Sequence, residues 1–160
     1  MKSTGESMGI DLDFGMAFAK SQISAGNILP KEGVVFISVN DKDKPFIKKF
    51  AKKLFDVGFE ILATGRTAET LINENIPCKK INKATQGSPH VVEYLDDKKI
   101  SIVINTTAGK NSIEDSKSLR RSALNNNIPY FTTLAGAIAC TEAIISMKSK
   151  KMGIMPIQEL

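Results

Sequence analysis

"VVFISVNDKDK", residues 34–44, begins with an apolar run interrupted only by Ser38 and then turns abruptly polar at Asn40. A nearly continuous apolar run of strand length, without the alternation of a half-exposed strand, suits a strand covered on both faces, as in a parallel sheet between helix layers. A second stretch, "ISIVIN" (100–105), has the same character and runs into Thr106, Thr107 and Gly109. A strand tip crowded with hydroxyls, an amide and a glycine suits a small ligand held by many hydrogen bonds; an ordinary polar turn is the alternative.

Between and around these runs, helix and strand signals alternate. Residues 45–57 carry Ile47, Phe50, Ala51, Leu54 and Phe55 at helical spacing, with Lys48, Lys49, Lys52 and Lys53 on the other face and Gly58 as a stop. "FEILA" (59–63) is a second strand, 67–75 a second helix ending near Asn75 and Pro77, and 79–81 a short third strand. Ser88 and Pro89 read as N-cap and first residue of the helix "HVVEYLDD", with His90 structural in its first turn. A helix over 116–126, a short strand "IPYF" (128–131) and a closing helix over 134–148 complete the pattern. Strands alternating with helices predict a three-layer α/β/α fold around a mostly parallel five-stranded sheet. Residues 1–30, punctuated by glycines around one helical piece at 14–23, read as a lead-in or linker to a domain over 31–160.

At 160 residues and 42% hydrophobic content the chain is the size of one domain with a real core. It has no run approaching the roughly 20 apolar residues of a membrane span and no leader-like order at its start, so a cytoplasmic location is expected. Cys78, Cys140 and the single His90 fall at no metal-ligand spacing, so no metal is expected and both thiols read as reduced, buried fillers. The net charge of +5 favours an anionic ligand and equally suits a lysine-rich solvated surface. With 6% aromatic residues and no basic residues interleaved with rings, neither nucleic acid nor membrane is an expected partner.

In parallel sheets ligands bind beyond the carboxyl ends of the strands, which directs attention to the loops that follow them. These hold Asn40 to Lys44, Thr64-Gly65-Arg66-Thr67, Asn82-Lys83, Asn105 to Lys110, and Thr132-Thr133. A "TGRT" turn opening a helix surrounds one point with hydroxyls and backbone N–H groups where the helix dipole favours negative charge, a cradle for phosphate. Two lysines and an arginine converging there would neutralise and fix that phosphate. For catalysis the loops are poorer: Asp41, Asp43, Glu114 and Asp115 are the nearby carboxylates, and Asp43 and Asp115 read better as helix caps. The loops look built to bind rather than to react.

Taken together, "FEILATGRTAETL", "KINKATQGSPHVVEYL", "ISIVINTTAGK", "EDSKSLRRSAL" and "IPYFTTLAGA" resemble the C-terminal allosteric domain of the carbamoyl-phosphate synthase large subunit, which has the methylglyoxal-synthase-like fold. "STGESMG" (3–9) resembles the segment closing that subunit's preceding ATP-grasp unit, so 1–30 would end that unit. The resemblance implies a regulatory site for nucleotide monophosphates, UMP or IMP, with phosphate contacts at Lys44, Thr64, Thr67 and Lys83 and nucleoside contacts at Asn105, Thr106 and Thr107. It implies ornithine contacts at Tyr130 and Thr132, completed by acidic residues of a neighbouring domain. Arg66 and Lys110 would be accessory cations.

The same resemblance implies no catalysis and no cofactor in this domain, with ATP and Mg or Mn belonging to the full-length subunit. Its implied partners are the ATP-grasp domains, a small glutaminase subunit and further copies through this domain. Three departures stand out: Arg66 replaces a second glycine of the Thr-Gly turn, Ala108, Lys110 and Asn111 replace part of a Ser-Gly-Arg-Arg run, and Phe131 replaces an acidic residue before the paired threonines. Two alternatives remain: a methylglyoxal synthase, whose glycine-rich and "WDP" patterns have no counterpart here, and an assembly module without effector.

Overall fold

The computed structural model describes residues 5–108, 116–154, 156 and 158. Its centre is one sheet of β1 (Gly33–Ser38), β2 (Phe59–Thr64), β3 (Lys79–Ile81), β4 (Ile102–Asn105) and β5 (Tyr130–Phe131), in the order β3-β2-β1-β4-β5. Every pairing is parallel, and the register sets Ser38 beside Asn105 and Ile37 beside Ala63. Around the sheet lie α1 (Phe14–Ser24), α2 (Ile47–Asp56), α3 (Gly65–Asn73), α4 (Val91–Asp96), α5 (Lys117–Asn125) and α6 (Leu134–Ser149).

The apolar runs work as two-sided strands because successive side chains point to opposite faces. Val35, Ile37, Ile61, Ile102 and Ile104 pack with Phe50, Leu54, Leu71 and Ile144 from α2, α3 and α6. Phe36, Leu62 and Val103, one residue out of phase, pack with Val91, Leu95, Leu119 and Ala123 from α4 and α5. Burying side chains of this size stabilises the fold by about 1.5 to 3 kcal/mol each. The expected three-layer α/β/α architecture is therefore the one formed, and among the described strands the sheet is wholly parallel.

Residues 14–24, inside the segment read as a lead-in, form a helix capped by Asp13 whose carboxylate accepts from Met16 N at 3.1 Å. Met16 and Ala19 are buried, and Gly15 is held to a hydrogen by its neighbour: a Cβ there would lie 2.4 Å from Ser146 Oγ and 2.5 Å from the Glu142 carbonyl on α6. Gly15 is what lets α1 lie so close to α6.

Three local expectations are corrected. The helix at 91–96 is capped by His90, not by Ser88: Glu93 N donates to His90 Nδ1 at 3.4 Å and Glu93 Oε2 accepts from His90 N at 2.8 Å. Ser88 precedes a cis peptide bond to Pro89, and its hydroxyl donates to Glu93 Oε2 at 3.1 Å. Asp43 caps no backbone N–H, because its carboxylate accepts instead from Asn40 Nδ2 at 2.6 Å. The parallel expectation for Asp115 falls outside the described residues. Burial pushes the Cys140 thiol up to about 12, whereas Cys78 is only partly buried, with its thiol 3.6 Å from the Ala68 carbonyl.

Candidate functional site

The strand order places neighbours β1 and β4 at the point where chain progress across the sheet reverses, and in open α/β sheets the crevice beyond that point takes ligands. A cavity of about 390 Å³ lies there. Its walls come from the loops after four strands: Asn40 to Lys44 without Asp43, Thr64 to Thr67, Lys83 to Gln86 without Thr85, and Asn105 to Ala108.

The floor of this cavity is fixed by hydrogen bonds. Thr64 and Thr67 are each only 3% exposed. The Thr64 hydroxyl donates to Ser38 Oγ at 2.9 Å, and Val39 N donates to Thr67 Oγ1 at 3.3 Å, which stitches the first turn of α3 to the tip of β1. Gly65 between them has φ +40, a left-handed value that costs a side-chain-bearing residue more than glycine. On the other side Thr106 Oγ1 accepts from Asn40 N at 3.2 Å and from Asn40 Nδ2 at 3.1 Å. Because Thr67 and Thr106 use lone pairs in these bonds, each retains an O–H to donate toward a ligand oxygen.

Asn40 organises the loop above the floor. Its Oδ1 accepts from Lys42 N at 3.0 Å and Asp43 N at 3.2 Å, and its amide group spends both protons, on Asp43 and on Thr106. An asparagine followed by such a polar run is an Asx-turn former, a signal present in the sequence. Ser38, Lys42 and Gln86 also line the cavity, beyond the residues to which the sequence assigns a contact.

The positive charge of the site comes from Lys42, Lys44, Arg66 and Lys83, all in the cavity wall. Asp41 pairs with the Lys44 ammonium through Oδ1 and lies 3.2 Å from Arg66 Nη1 through Oδ2. The hydrogen bond from Lys44, reinforced by the charge of Arg66, holds the Asp41 carboxyl below the usual carboxylate range. A carboxylate so held is a poor proton acceptor at neutral pH, which suits binding better than proton abstraction. Lys83 makes no ion pair among the described residues; its backbone N–H donates to Gln86 Oε1 at 3.0 Å, which folds the following turn.

Of the residues singled out from the sequence, Lys44, Thr64, Arg66, Thr67, Lys83, Asn105, Thr106 and Thr107 thus meet in one cavity. Tyr130 and Thr132 do not line it. Tyr130 nevertheless touches its wall from behind: Asn105 Nδ2 donates to Tyr130 Oη at 2.6 Å and to Ser116 Oγ at 3.0 Å, and the Arg120 guanidinium sits 5.7 Å from the Tyr130 ring centre. Thr132 is exposed beyond the end of β5. Lys110, like Gly109 and Glu114, lies outside the described residues.

A wholly parallel, doubly wound sheet with a polar, cationic cleft at its switch point places the chain among the single-sheet α/β domains. More specifically, it belongs to the MGS-like domain family, whose model matches residues 47–132. It is 46% identical over 159 residues to the carbamoyl phosphate synthase large chain of Mesorhizobium japonicum, covering 99% of this chain and 14% of that one. The large chain of Methanobrevibacter smithii is 45% identical over 159 residues, with 99% and 15% covered. That of Pseudomonas aeruginosa is 46% identical over 144 residues, with 90% and 13% covered. The chain therefore spans about one seventh of the length of these relatives. No described helix is long and apolar enough to cross a membrane.

Proposed function

We propose that the chain is the C-terminal regulatory domain of a carbamoyl-phosphate synthase large subunit, and that its cavity binds a nucleotide monophosphate such as UMP or IMP. The observation that carries this is the meeting of Lys44, Arg66 and Lys83 with buried hydroxyls at the switch point of the sheet. Lys44, Thr64, Thr67 and Lys83 take the phosphate, Thr64 by turning its hydroxyl from Ser38, with Arg66 and Lys110 as accessory cations. Asn105, Thr106 and Thr107 face the nucleoside. Charge-assisted hydrogen bonds to phosphate in a partly desolvated cleft are the strong ones, which suits a site that must recognise a small ligand without reacting with it.

In this account residues 1–30 close a preceding ATP-grasp unit and residues 31–160 are the regulatory domain. The chain has no catalysis or cofactor of its own. ATP, with Mg or Mn, acts elsewhere in the cytoplasmic full-length subunit, which works with a glutaminase subunit and makes carbamoyl phosphate from glutamine, bicarbonate and ATP. Tyr130 and Thr132 supply half of an ornithine site, because an ammonium needs carboxylate partners and burying one without them is expensive. An effector then shifts the synthase by its preference for one arrangement of this domain against its neighbours, including further copies of the subunit.

Amide chemical-shift mapping with UMP tests the assignment. Shifts concentrated at 38–44, 64–67, 83–86 and 105–107 support it. Shifts elsewhere, or none with either UMP or IMP, oppose it.

A further inference from the structure

Lys44 and Arg66 enter the cavity from the loops of different strands, yet both end on one carboxylate, that of Asp41. The Lys44 side chain is 15% exposed and has little water to fall back on, whereas Arg66 at 75% and Asp41 at 61% stand in solvent at the mouth. The turn that carries Asp41 is held on both sides, since Asn40 Oδ1 accepts from the N–H groups of Lys42 and Asp43, and Asn40 is tied across the sheet to Thr106. Asp41 therefore sits over the two cations on a braced turn. Of the other charged side chains at the site, Asp43 is bonded to Asn40, and Lys42 and Lys83 make no ion pair among the described residues.

We propose that Asp41 is a built-in competitor for the phosphate: it holds Lys44 and Arg66, and a phosphate gains those cations only by displacing it. The proposal rests on the reading of the cavity as a phosphate pocket. Displacement costs the same whichever anion enters, so Asp41 sets a threshold. A phosphate monoester carries about −1.5 to −2 charge at neutral pH and three acceptor oxygens, against the single charge and two oxygens of Asp41. It offsets that cost from its larger charge, while chloride and simple carboxylates, which offer the cations no more than Asp41 does, gain nothing by displacing it and bind weakly. Exposed ion pairs are individually weak, so the effect is a several-fold one rather than an on-off switch.

The test is calorimetric titration of the full chain and of Asp41→Asn with UMP, inorganic phosphate and uridine at low salt. Asp41→Asn is expected to tighten UMP and inorganic phosphate by a common factor of about 3 to 10, to leave uridine unchanged, and to lose most of its advantage at ~0.5 M salt. Asp41→Glu, which keeps the carboxylate, should restore part of the competition. If Asp41→Asn binds UMP no better than the natural chain while Lys83→Ala binds it worse, the pocket is the phosphate site and the competitor role is wrong. Equal tightening of uridine and UMP would also overturn it, because the effect would then be one of shape. Binding of neither UMP nor phosphate by either protein would remove the phosphate pocket, and the proposal with it.

Discussion

The floor and the rim of the cavity are built on opposite plans. Thr64, Thr67, Asn105 and Thr106 are buried, and each is hydrogen-bonded within the fold, to Ser38, Val39, Ser116, Tyr130 or Asn40. Lys83 and Arg66 are open to solvent, and among the described residues the charged ends of Lys44 and Arg66 are held by one exchangeable carboxylate. The difference assigns two kinds of work to one site. The floor fixes where a ligand oxygen sits and costs stability when altered; the rim decides how tightly charge is held and can be altered without unfolding the sheet.

The sharpest way to break that division is Asn40→Ala, because Asn40 joins floor to rim through four side-chain hydrogen bonds. Denaturant unfolding should show a loss of about 2 to 4 kcal/mol, from bonds worth roughly 0.5 to 1.5 each and one made to a charge. Monophosphate binding should weaken as well. A variant with unchanged stability would mean that the turn holds itself.

Lys83→Ala is the pure rim change. Binding of UMP should fall by about 1.5 to 3 kcal/mol, the worth of a charge-assisted hydrogen bond, with the unfolding midpoint unmoved because the side chain is exposed. Thr67→Val is the pure floor change. It keeps the shape and strands the Val39 N–H, so about 1 to 2 kcal/mol of stability should go. Measuring both stability and affinity for each variant separates the two plans, and a Lys83→Ala protein that is destabilised would merge them.

A smaller effect lies away from the cavity, at α1. Asp13 has its carboxyl lowered chiefly by the Ser146 hydroxyl, with the Met16 N–H and Lys150 adding to it. A group whose folded pKa is depressed contributes stability that is present above its unfolded value, about 4, and lost as pH falls through the folded one. Melting curves between about pH 5 and 2 should therefore fall less steeply for Asp13→Asn than for the natural chain.

The layers of the fold were legible because they depend on period alone: Val35 and Ile37 against Phe36, and Ile102 and Ile104 against Val103, go to opposite cores as a strand's alternation requires. The gathering of Lys44, Arg66, Lys83 and the threonines was legible for a related reason, since parallel strands put all their trailing loops on one edge. What could not be read was how these groups spend their hydrogen bonds. Ser88-Pro89 has the composition of a helix start, but the helix begins two residues later, with His90 supplying the cap. Asp43 has the composition of a cap and instead braces Asn40, and Asp41, one of several loop carboxylates in the sequence, joins two cations. Each of these depends on distances between residues far apart in sequence or on competition among near neighbours, and composition reports neither.

The central claim is that the cavity recognises a phosphate carried by a nucleoside. The most direct measurement is calorimetric titration of this chain with UMP and with uridine at the same low ionic strength. The account predicts that UMP binds more tightly than uridine, by at least the factor lost in Lys83→Ala, and that salt narrows the gap. Equal affinity for the two would contradict it.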